Sequence, residues 1–418
     1  MTQAKPYDIA MREVWTAYQR VRANGGAAGV DAQSIADFEK DLSGNLYKLW
    51  NRMSSGSYFP PPVRRVEIPK SGGGMRPLGI PTVADRIAQS VVKARLEPVL
   101  EELFHPDSYG YRPRRSAHQA LATVRQRCWR YAWVVDVDIK GFFDNIDHSL
   151  MMRALRKHTD CPWMLLYIER WLQAPVASAT GVLEKRSKGT PQGGVISPLL
   201  ANLFLHYAFD AWMGRAYPAL PFARYADDIV VHCRTLAEAE QYHAALTRRM
   251  TECGLELHPD KTRIVYCKQN ARREDYPHVS FDFLGYTFRP RVTKGRGGAY
   301  FVGFNPALSR TARNSINTTI REWRILHNPT VTLAEIAQFI NPVVRGWIHY
   351  YGKFFPSALR PALTHLDERL VKWTRRKYKR LRRSFKRARN WLRRIRCAEP
   401  QLFAHWAVLA TGWTRRAV

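Results

Sequence analysis

The sequence predicts an α+β fold (mixed α/β) with a helical C-terminal third. Three observations predict this class. An apolar strand covers residues 132–139, an antiparallel hairpin covers residues 222–233, and helical segments separate the two. Residues 305–396 carry an almost entirely helical pattern. At 418 residues, the chain is too long for one ordinary core, so we expect two or three domains.

The N-terminal elements follow from periodicity and turn residues. Residues 1–22 predict an amphipathic helix, and the glycine-rich segment Asn24–Asp31 predicts a turn. A second helical stretch runs from Ile35 to Trp50. Residues 56–81, rich in Pro and Gly, predict a hairpin with a glycine-rich tip, and a helical pattern fills residues 82–128.

The charge of the chain predicts a polyanionic partner. It has 66 Lys and Arg against 35 Asp and Glu, a formal net charge of +31. Such a surplus favours nucleic acid and strongly salt-dependent binding. Between Arg369 and Arg396 there are fifteen basic residues and no acidic ones. Leu381, Phe385 and Leu392 recur there at helical spacing, which predicts one amphipathic helix with a cationic face.

The cysteines and the apolar segments exclude several classes of protein. No two of the six cysteines have Cys-x-x-Cys spacing, so we expect neither a zinc ribbon nor a disulfide framework. The N-terminus lacks an apolar signal core. The longest apolar stretch, from Val195 to Leu205, is interrupted by Pro198. We therefore expect a cytoplasmic protein without a membrane segment.

Three acidic residues predict a metal site. Asp227 and Asp228 lie at the predicted turn of the 222–233 hairpin, and Asp138 lies near the end of the other apolar strand. Phosphoryl transfer from a nucleoside triphosphate uses two Mg²⁺ ions, which prefer carboxylate oxygens. Taken alone, an acidic pair in a turn is equally consistent with a simple turn. The surrounding motifs decide between these interpretations.

Seven segments, two of which contain these acids, occur in a characteristic order: Asn24–Asp31, Ser108–Ser116, Asp138–His148, Gly189–Pro198, Tyr225–Asp228, Gly254–Thr262 and Phe281–Tyr286. Together they resemble the group II intron-encoded reverse transcriptases and maturases of bacteria. Asn341–Tyr351 resembles the maturase region of that family, which doubles as the thumb. The resemblance implies a right-hand polymerase fold with fingers and palm, then a helical thumb/maturase domain and a basic helical C-terminal segment.

The resemblance implies a division of the chain into four parts. They are an N-terminal extension of the fingers (1–55), reverse transcriptase fingers and palm (56–290), a helical thumb/maturase domain (291–368) and a basic DNA/RNA-binding segment (369–418). Many family members add a Cys/His-rich endonuclease domain. Only Cys397 follows Cys267 in this sequence, so the endonuclease-lacking members are the expected relatives.

The resemblance also assigns roles at the carboxylates. Asp138 and Asp227 are expected to bind both Mg²⁺ ions, with the backbone carbonyl of Ile139 as a further ligand. Asp228 is expected to be a weaker carboxylate of the same site. Lys261 is the expected proton donor to the leaving pyrophosphate, although a solvated surface lysine explains it nearly as well.

The incoming dNTP is expected to meet a second group of residues. Lys70 and Arg76 flank the glycine-rich tip and are expected to contact the triphosphate. Phe143 occupies the family's steric-gate position, where an aromatic ring excludes a ribose 2′-OH; core packing is the alternative. Gln192 and Gly193 are expected to lie against the nascent base pair.

Contacts with RNA or DNA are expected from cations and one aromatic ring. Trp347 and Tyr351 also fit a helical core at i, i+4 spacing, and we expect at least one of them to pack there. The expected contact residues are Arg112, Arg345, Trp347, Arg375, Arg376, Lys379, Arg382, Arg383 and Arg387.

The expected function is that of an RNA-directed DNA polymerase with two Mg²⁺ ions that also binds its host group II intron RNA for splicing and retrotransposition. Its other partners would be an RNA template with a DNA primer or target, and dNTPs, in the nucleoid-associated cytoplasm of a bacterium. Monomer and homodimer both remain open. The alternatives are a domesticated, free-standing reverse transcriptase in repair or defence, and a splicing cofactor with a vestigial polymerase.

Overall fold

A computed structural model describes residues 5–69, 74–178, 180–295 and 297–410. The chain divides into two compact units, Met1–Val265 and Tyr266–Val418. The boundary between the units precedes the 290/291 boundary expected from the sequence, and Phe281–Tyr286 therefore belongs to the second unit. The four-part division itself stays a prediction.

The first unit contains eleven α-helices and eight strands within its described residues. The helices are α1 (Met11–Asn24), α2 (Ile35–Glu39), α3 (Leu42–Ser54), α4 (Val83–Leu103), α5 (Ala117–Arg130), α6 (Phe142–Asn145), α7 (His148–Leu155), α8 (Pro162–Gln173), α9 (Ser197–Leu205), α10 (Ala211–Ala216) and α11 (Leu236–Glu252). The strands are β1 (Val63–Pro69), β2 (Met75–Ile80), β3 (Trp133–Val137), β4 (Val176–Ala177), β5 (Leu183–Glu184), β6 (Phe222–Tyr225), β7 (Asp228–Cys233) and β8 (Arg263–Tyr266). A π-helical stretch, His206–Asp210, joins α9 to α10.

The N-terminal helices follow the sequence pattern with two differences. Helix α1 begins at Met11, whereas the predicted helix began at residue 1. Helix α1 buries Val14, Tyr18 and Val21 on one face, which confirms the amphipathic prediction. The stretch predicted from Ile35 to Trp50 is two helices, α2 and α3. Asp41 begins the second, because its carboxylate accepts the Gly44 N–H at 3.2 Å.

Two four-stranded sheets position the site of the first unit. One has the order β2-β1-β4-β5, and its β1–β2 hairpin confirms the prediction for residues 56–81. The other has the order β6-β7-β3-β8. Its strands β6 and β7 form the predicted antiparallel hairpin, and β3 pairs antiparallel with β7. Apolar side chains such as Val135 and Val231 are fully buried in this sheet.

The second unit combines a small sheet with helices. Its strands are β9 (Phe281–Phe283), β10 (Tyr286–Lys294) and β11 (Tyr300–Leu308), in the order β11-β10-β9. Its helices are α12 (Arg310–Glu322), α13 (Leu333–Tyr351), α14 (Arg360–Lys377), α15 (Phe385–Ala398) and α16 (Ala404–Ala410). One apolar core extends from Leu308 to Val408. The parts predicted as 291–368 and 369–418 therefore share a core.

The prediction of one continuous basic helix between Arg369 and Arg396 is wrong, because α14 and α15 are separate. The chain turns at Tyr378, whose backbone is extended (φ −106°, ψ 109°). Ser384 begins α15 by accepting the Arg387 N–H at 3.2 Å. The Arg375 guanidinium bridges the turn by donating to the Arg382 carbonyl at 3.0 and 3.1 Å.

Across the described ranges, no helix combines the length and the apolar character needed to cross a bilayer.

Candidate functional site

The β6–β7 hairpin carries two of the predicted carboxylates at its turn. Tyr225 pairs with Asp228, so Ala226 and Asp227 form a two-residue turn. Ala226 has a positive φ of 56°, which tightens the turn and is unusual for a residue with a side chain. The acidic pair thus lies at the end of a buried hairpin.

Asp138 lies beside this turn because of strand pairing. It directly follows β3, whose Val137 is paired with Ile229 of β7. Asp138 and the carboxylates of Asp227 and Asp228 are therefore at the same end of neighbouring strands. This is the arrangement that the sequence predicted for a metal site.

The proximity of the carboxylates changes their proton affinity. Partial loss of water, followed by the negative charges of Asp227 and Asp138, raises the pKa of Asp228 to about 7. Burial and then the charge of Asp138 raise the pKa of Asp227. Asp228 is exposed to solvent, so we attribute more of its shift to like-charge repulsion than to loss of water. Arg76 opposes both shifts with its positive charge.

The segment Gly254–Thr262 fixes Asp138 from the other side. The Thr262 hydroxyl accepts the Asp138 N–H and donates to the Asp138 carbonyl, both at 3.3 Å, and the His258 N–H donates to that carbonyl at 2.8 Å. Lys261 Nζ lies 3.1 Å from Asp138 Oδ2. The predicted proton donor is thus already in contact with a predicted metal ligand.

The chemistry of these donors suits Mg²⁺, which prefers carboxylate and carbonyl oxygens. Ile139, whose carbonyl is the further predicted ligand, is buried. In the parts of the chain that the structure describes, no three Asp, Glu, His or Cys side chains converge closely enough to hold a metal ion as they stand. Asp138 is paired with Lys261 instead.

A buried ion pair beneath the hairpin was not found by sequence reasoning. Arg224 is fully buried and donates to both oxygens of Asp210, at 2.8 and 2.5 Å. It also donates to Asn202 Oδ1 at 2.9 Å and to the Ala226 carbonyl at 3.1 Å. One guanidinium thus connects the helical layer to the turn beside Asp227. An arginine inside the apolar strand β6 was the available signal.

The segment Ser108–Ser116 packs against the same turn. A Cβ on Gly110 would lie 2.3 Å from the Ala226 nitrogen, so only glycine fits there. Asn202 donates its side-chain N–H to the Gly110 carbonyl at 2.8 Å. This segment therefore holds the carboxylate hairpin in place.

Arg112, in the same segment, is a correction to the predicted nucleic-acid contacts. It is buried, and its guanidinium donates to the Glu101 carboxylate at 2.9 and 2.7 Å. Its remaining nitrogen donates to the carbonyls of His105 and Ser108 at 2.7 Å. Each of its three nitrogens donates within the protein and its side chain is only 3% exposed, so Arg112 is not placed to contact a phosphate.

The predicted gate residue, Phe143, lies beside a loop formed by residues 189–196 (loop 189–196). Its ring is half-buried and packs edge-to-face on Phe142 with centroids 5.4 Å apart. The Phe143 carbonyl accepts the Thr190 N–H at 2.8 Å. This contact joins the gate position to the loop that carries Gln192 and Gly193.

Gly193 is needed for a reason inside the protein. Its φ is +113°, and a Cβ there would lie 2.6 Å from the Gly79 carbonyl oxygen. The neighbouring Gln192 carbonyl accepts the Gly79 N–H at 2.6 Å. Strand β2 thus holds the loop directly, and the same strand carries the exposed Arg76. Lys70 lies outside the described residues.

A cationic cavity adjoins this loop. Its volume is about 380 Å³, and Gln192 lies in its wall. Two acidic residues, Asp144 and Glu184, also line it. The basic residues of its lining are Arg65, Lys185, Arg186 and Lys188.

The predicted contacts in the second unit divide into two groups. Trp347 stacks on Trp323 with centroids 5.5 Å apart, which confirms that at least one ring of this motif packs into the core. Arg375 is half-buried and bound to the Arg382 carbonyl. The predicted cations that remain exposed are Arg345, Arg376, Lys379, Arg382, Arg383 and Arg387.

The family described as "Reverse transcriptase (RNA-dependent DNA polymerase)" matches residues 68–288, more than half of the chain. The chain belongs to the reverse transcriptase family. This membership confirms the right-hand polymerase fold and RNA-directed DNA polymerase activity predicted from the sequence. The family described as "Group II intron, maturase-specific domain" matches residues 313–392 of the same chain. The protein therefore joins a reverse transcriptase domain to a maturase-specific domain.

Known proteins of two bacteria are similar to this reverse transcriptase. Protein YkfC of Escherichia coli (strain K12) is 34% identical over 299 residues, which cover 62% of this chain and 74% of YkfC. The group II intron-encoded protein LtrA of Lactococcus lactis subsp. cremoris is 38% identical over 200 residues. That match covers 46% of this chain and 32% of LtrA, so the aligned part is about a third of LtrA.

Proposed function

We propose that this reverse transcriptase copies RNA at the carboxylate end of the β6–β7 hairpin and binds its host group II intron RNA to promote splicing and mobility. The observation that carries the first half is the gathering of Asp138, Asp227 and Asp228 at one end of two paired strands. The maturase-specific match over residues 313–392 carries the second half. The setting would be the bacterial cytoplasm, at the nucleoid where target DNA lies.

Asp138 and Asp227 would hold both Mg²⁺ ions with the Ile139 carbonyl, and Asp228 would be the weaker carboxylate. When bound, Mg²⁺ activates the primer 3′-hydroxyl and offsets charge on the leaving pyrophosphate. Lys261 would exchange its contact with Asp138 for the pyrophosphate and give it a proton. The like-charge repulsion at these carboxylates favours the cation, because binding removes that repulsion.

The elements around the loop 189–196 would form the dNTP side of the site. Lys70 and Arg76 would offset the triphosphate charge, and Phe143 would exclude the ribose 2′-OH. Gln192 and Gly193 would contact the nascent base pair. The cationic cavity beside Gln192 would take phosphates of the RNA template, because Lys and Arg in a groove follow a nucleic acid backbone.

A primer-extension assay with dNTPs on an RNA template tests the polymerase half. Asp227→Ala removes a ligand of both Mg²⁺ ions, so we expect extension to fall by roughly 10³-fold or more. Asp275→Ala is the control, since its side chain is 92% exposed in the second unit. Equal extension by wild type and Asp227→Ala would show that the carboxylate assignment is wrong.

A titration of intron RNA tests the maturase half. Replacing Arg382, Arg383 and Arg387 by Ala removes three exposed cations, so binding should weaken and the slope of log K against log [salt] should fall by roughly 0.7 per lost phosphate contact. Thermal stability should change little. The matched control replaces three exposed arginines of the first unit: Arg153, Arg156 and Arg248. If both triple variants bind equally, the C-terminal surface does not hold the RNA.

The two alternatives predict different outcomes. A splicing cofactor with a vestigial polymerase would splice the intron but extend no primer, and the presence of all three carboxylates argues against it. A free-standing reverse transcriptase in repair or defence would extend primers without discriminating intron RNA from other structured RNA. Catalytic intron RNA sequences on either side of the gene would favour the maturase.

A further inference from the structure

A buried carboxylate in the fingers has only neutral hydrogen-bond donors. Asp85, on α4, is 1% exposed. Its Oδ1 accepts the Tyr58 hydroxyl at 2.8 Å and the Trp171 indole N–H at 2.7 Å. Burial raises its pKa to about 6, although these hydrogen bonds oppose the shift. A buried charge of this kind is costly, so its second oxygen is a strong acceptor for whatever side chain faces it.

That second oxygen faces Gln89, one turn along α4. Gln89 Nε2 donates to Asp85 Oδ2 at 3.0 Å, and Gln89 Oε1 accepts the Ile196 N–H at 3.2 Å. A carboxylate accepts but cannot donate, so it fixes which end of the Gln89 amide points toward it. The amide oxygen is thereby directed at Ile196, at the end of the loop 189–196.

The loop has little freedom to take another position. Gln89 and Ile196 are 3% and 1% exposed. A Cβ on Gly194 would lie 3.3 Å from Gln89 Oε1 and 2.6 Å from Ser197 Oγ. The Gln89 contact therefore holds the loop at its C-terminal end, in addition to the contact of β2 with Gln192 and Gly193.

We infer that Gln89 is a positioning residue for the loop 189–196, and that Asp85 acts through it by fixing the orientation of the Gln89 amide. The inference rests on the proposed role of Gln192 and Gly193 at the nascent base pair. Neither Asp85 nor Gln89 would touch the substrate. Their effect would reach it through the backbone of the loop.

Asp85→Asn tests the inference with almost no change in volume. Tyr58 and Trp171 both donate to Oδ1, so the oxygen of the new amide must stay there and its NH₂ must face Gln89. The Gln89 amide then turns over and directs its own NH₂ at the Ile196 N–H, where two donors oppose each other. We expect KM for dNTP to rise about tenfold at pH 8, the scale of one lost buried hydrogen bond, with kcat within about twofold of wild type.

A reciprocal double variant supplies the rescue. In Asp85→Asn with Gln89→Glu, the NH₂ introduced at position 85 donates to one oxygen of the carboxylate introduced at position 89. The other oxygen of that carboxylate accepts the Ile196 N–H. The buried negative charge is kept and every donor again has an acceptor. KM for dNTP should return to within about threefold of the wild-type value. A residue that contributes only to stability would give no such reciprocal effect.

Hydrogen exchange at the Ile196 amide provides a readout that does not need activity. The exchange rate at the Ile196 amide should rise on the order of tenfold in Asp85→Asn. It should return to the wild-type rate in the double variant. Gln89→Met, which removes both amide hydrogen bonds, should match Asp85→Asn. The control is Tyr18→Phe, which removes the 2.5 Å hydrogen bond from the Tyr18 hydroxyl on α1 to Glu39 Oε1 on α2. It should lower stability and leave KM and Ile196 exchange unchanged.

The outcomes separate the inference from the proposed function. Unchanged KM and unchanged Ile196 exchange in both Asp85→Asn and Gln89→Met would overturn the inference, as would a folded double variant that rescues neither quantity. If wild type incorporated no dNTP, the proposed polymerase function would fail. The comparison of Ile196 exchange would then still decide whether Asp85 positions the loop through Gln89.

Discussion

Asp210 and Asp228 lie in the same unit but have opposite surroundings. Asp210 is buried and receives two hydrogen bonds from the Arg224 guanidinium. Asp228 lies beside Asp227 and Asp138, and these like charges contribute to a pKa of about 7. Asp210 is paired with a cation of the protein. Among the described residues, Asp228 has no cation bound to it as Arg224 is bound to Asp210. The difference separates an acid that maintains the fold from acids that we propose bind an external cation.

This contrast explains why the two kinds of acid can coexist. The Arg224 guanidinium reaches Asp210 and also the Ala226 carbonyl at the turn. The ion pair between Arg224 and Asp210 therefore holds the turn in place. The carboxylates at and beside the turn repel one another.

The sharpest test of the contrast removes Arg224. Arg224→Met leaves Asp210 buried without its cation, so we expect a loss of roughly 3–5 kcal/mol in the free energy of unfolding. Denaturant unfolding at pH 7.5 measures this loss. The double variant Arg224→Met with Asp210→Leu removes both charges and should recover most of the stability. A double variant as unstable as the single one would mean that the pair contributes more than charge compensation.

Acid titration extends the comparison to buried histidines whose surroundings disfavour the charged form. Burial lowers the pKa of His232 to about 3 and that of His206 to about 4. Because the unfolded chain takes up protons first, stability should fall as the pH drops below about 6.5, by up to roughly 1.4 kcal/mol per pH unit for each histidine. His232→Leu should flatten the unfolding free energy between pH 6.5 and 4, whereas replacing the exposed His349 should not.

The smallest effect concerns the repelling acids themselves. The raised pKa of Asp228 means that its folded-state penalty grows as the pH rises from about 4 to about 7. In EDTA at pH 8, Asp228→Asn should therefore stabilise the protein by on the order of 0.5 kcal/mol, a size typical of solvent-screened charges. At pH 4 the two proteins should unfold alike. Adding Mg²⁺ should favour wild type, and a variant less stable than wild type in EDTA would contradict the repulsion.

The sequence allowed the carboxylate site to be predicted because its signals are local. Asp227 and Asp228 follow an apolar strand directly, and the strand–turn–strand pattern of residues 222–233 set their position. The β1–β2 hairpin and α1 were predicted for the same reason. Local patterns of this kind indicate whether a segment is a helix or a strand without any knowledge of its long-range contacts.

The rest depends on contacts between distant segments. Arg224 meets Asp210, and Gln89 meets Ile196 across 107 residues of sequence. Arginine is a common phosphate ligand, yet the Arg112 guanidinium donates to Glu101 and to two backbone carbonyls. The break between α14 and α15 rests on a cap and on one arginine–carbonyl contact. Helical periodicity continues through that break, and therefore could not reveal it.

Gly110 limits the space available to the turn that carries Asp227. With a virtual Cβ only 2.3 Å from the Ala226 nitrogen, the clearance between the two backbones is smaller than one methyl group. The position of Asp227 relative to the sheet therefore depends on contact with a segment more than a hundred residues away in the sequence. A displacement of that segment would shift Asp227, the proposed metal ligand, by a similar amount. The position of the Asp227 side chain thus depends on the spacing between two main chains that are in contact.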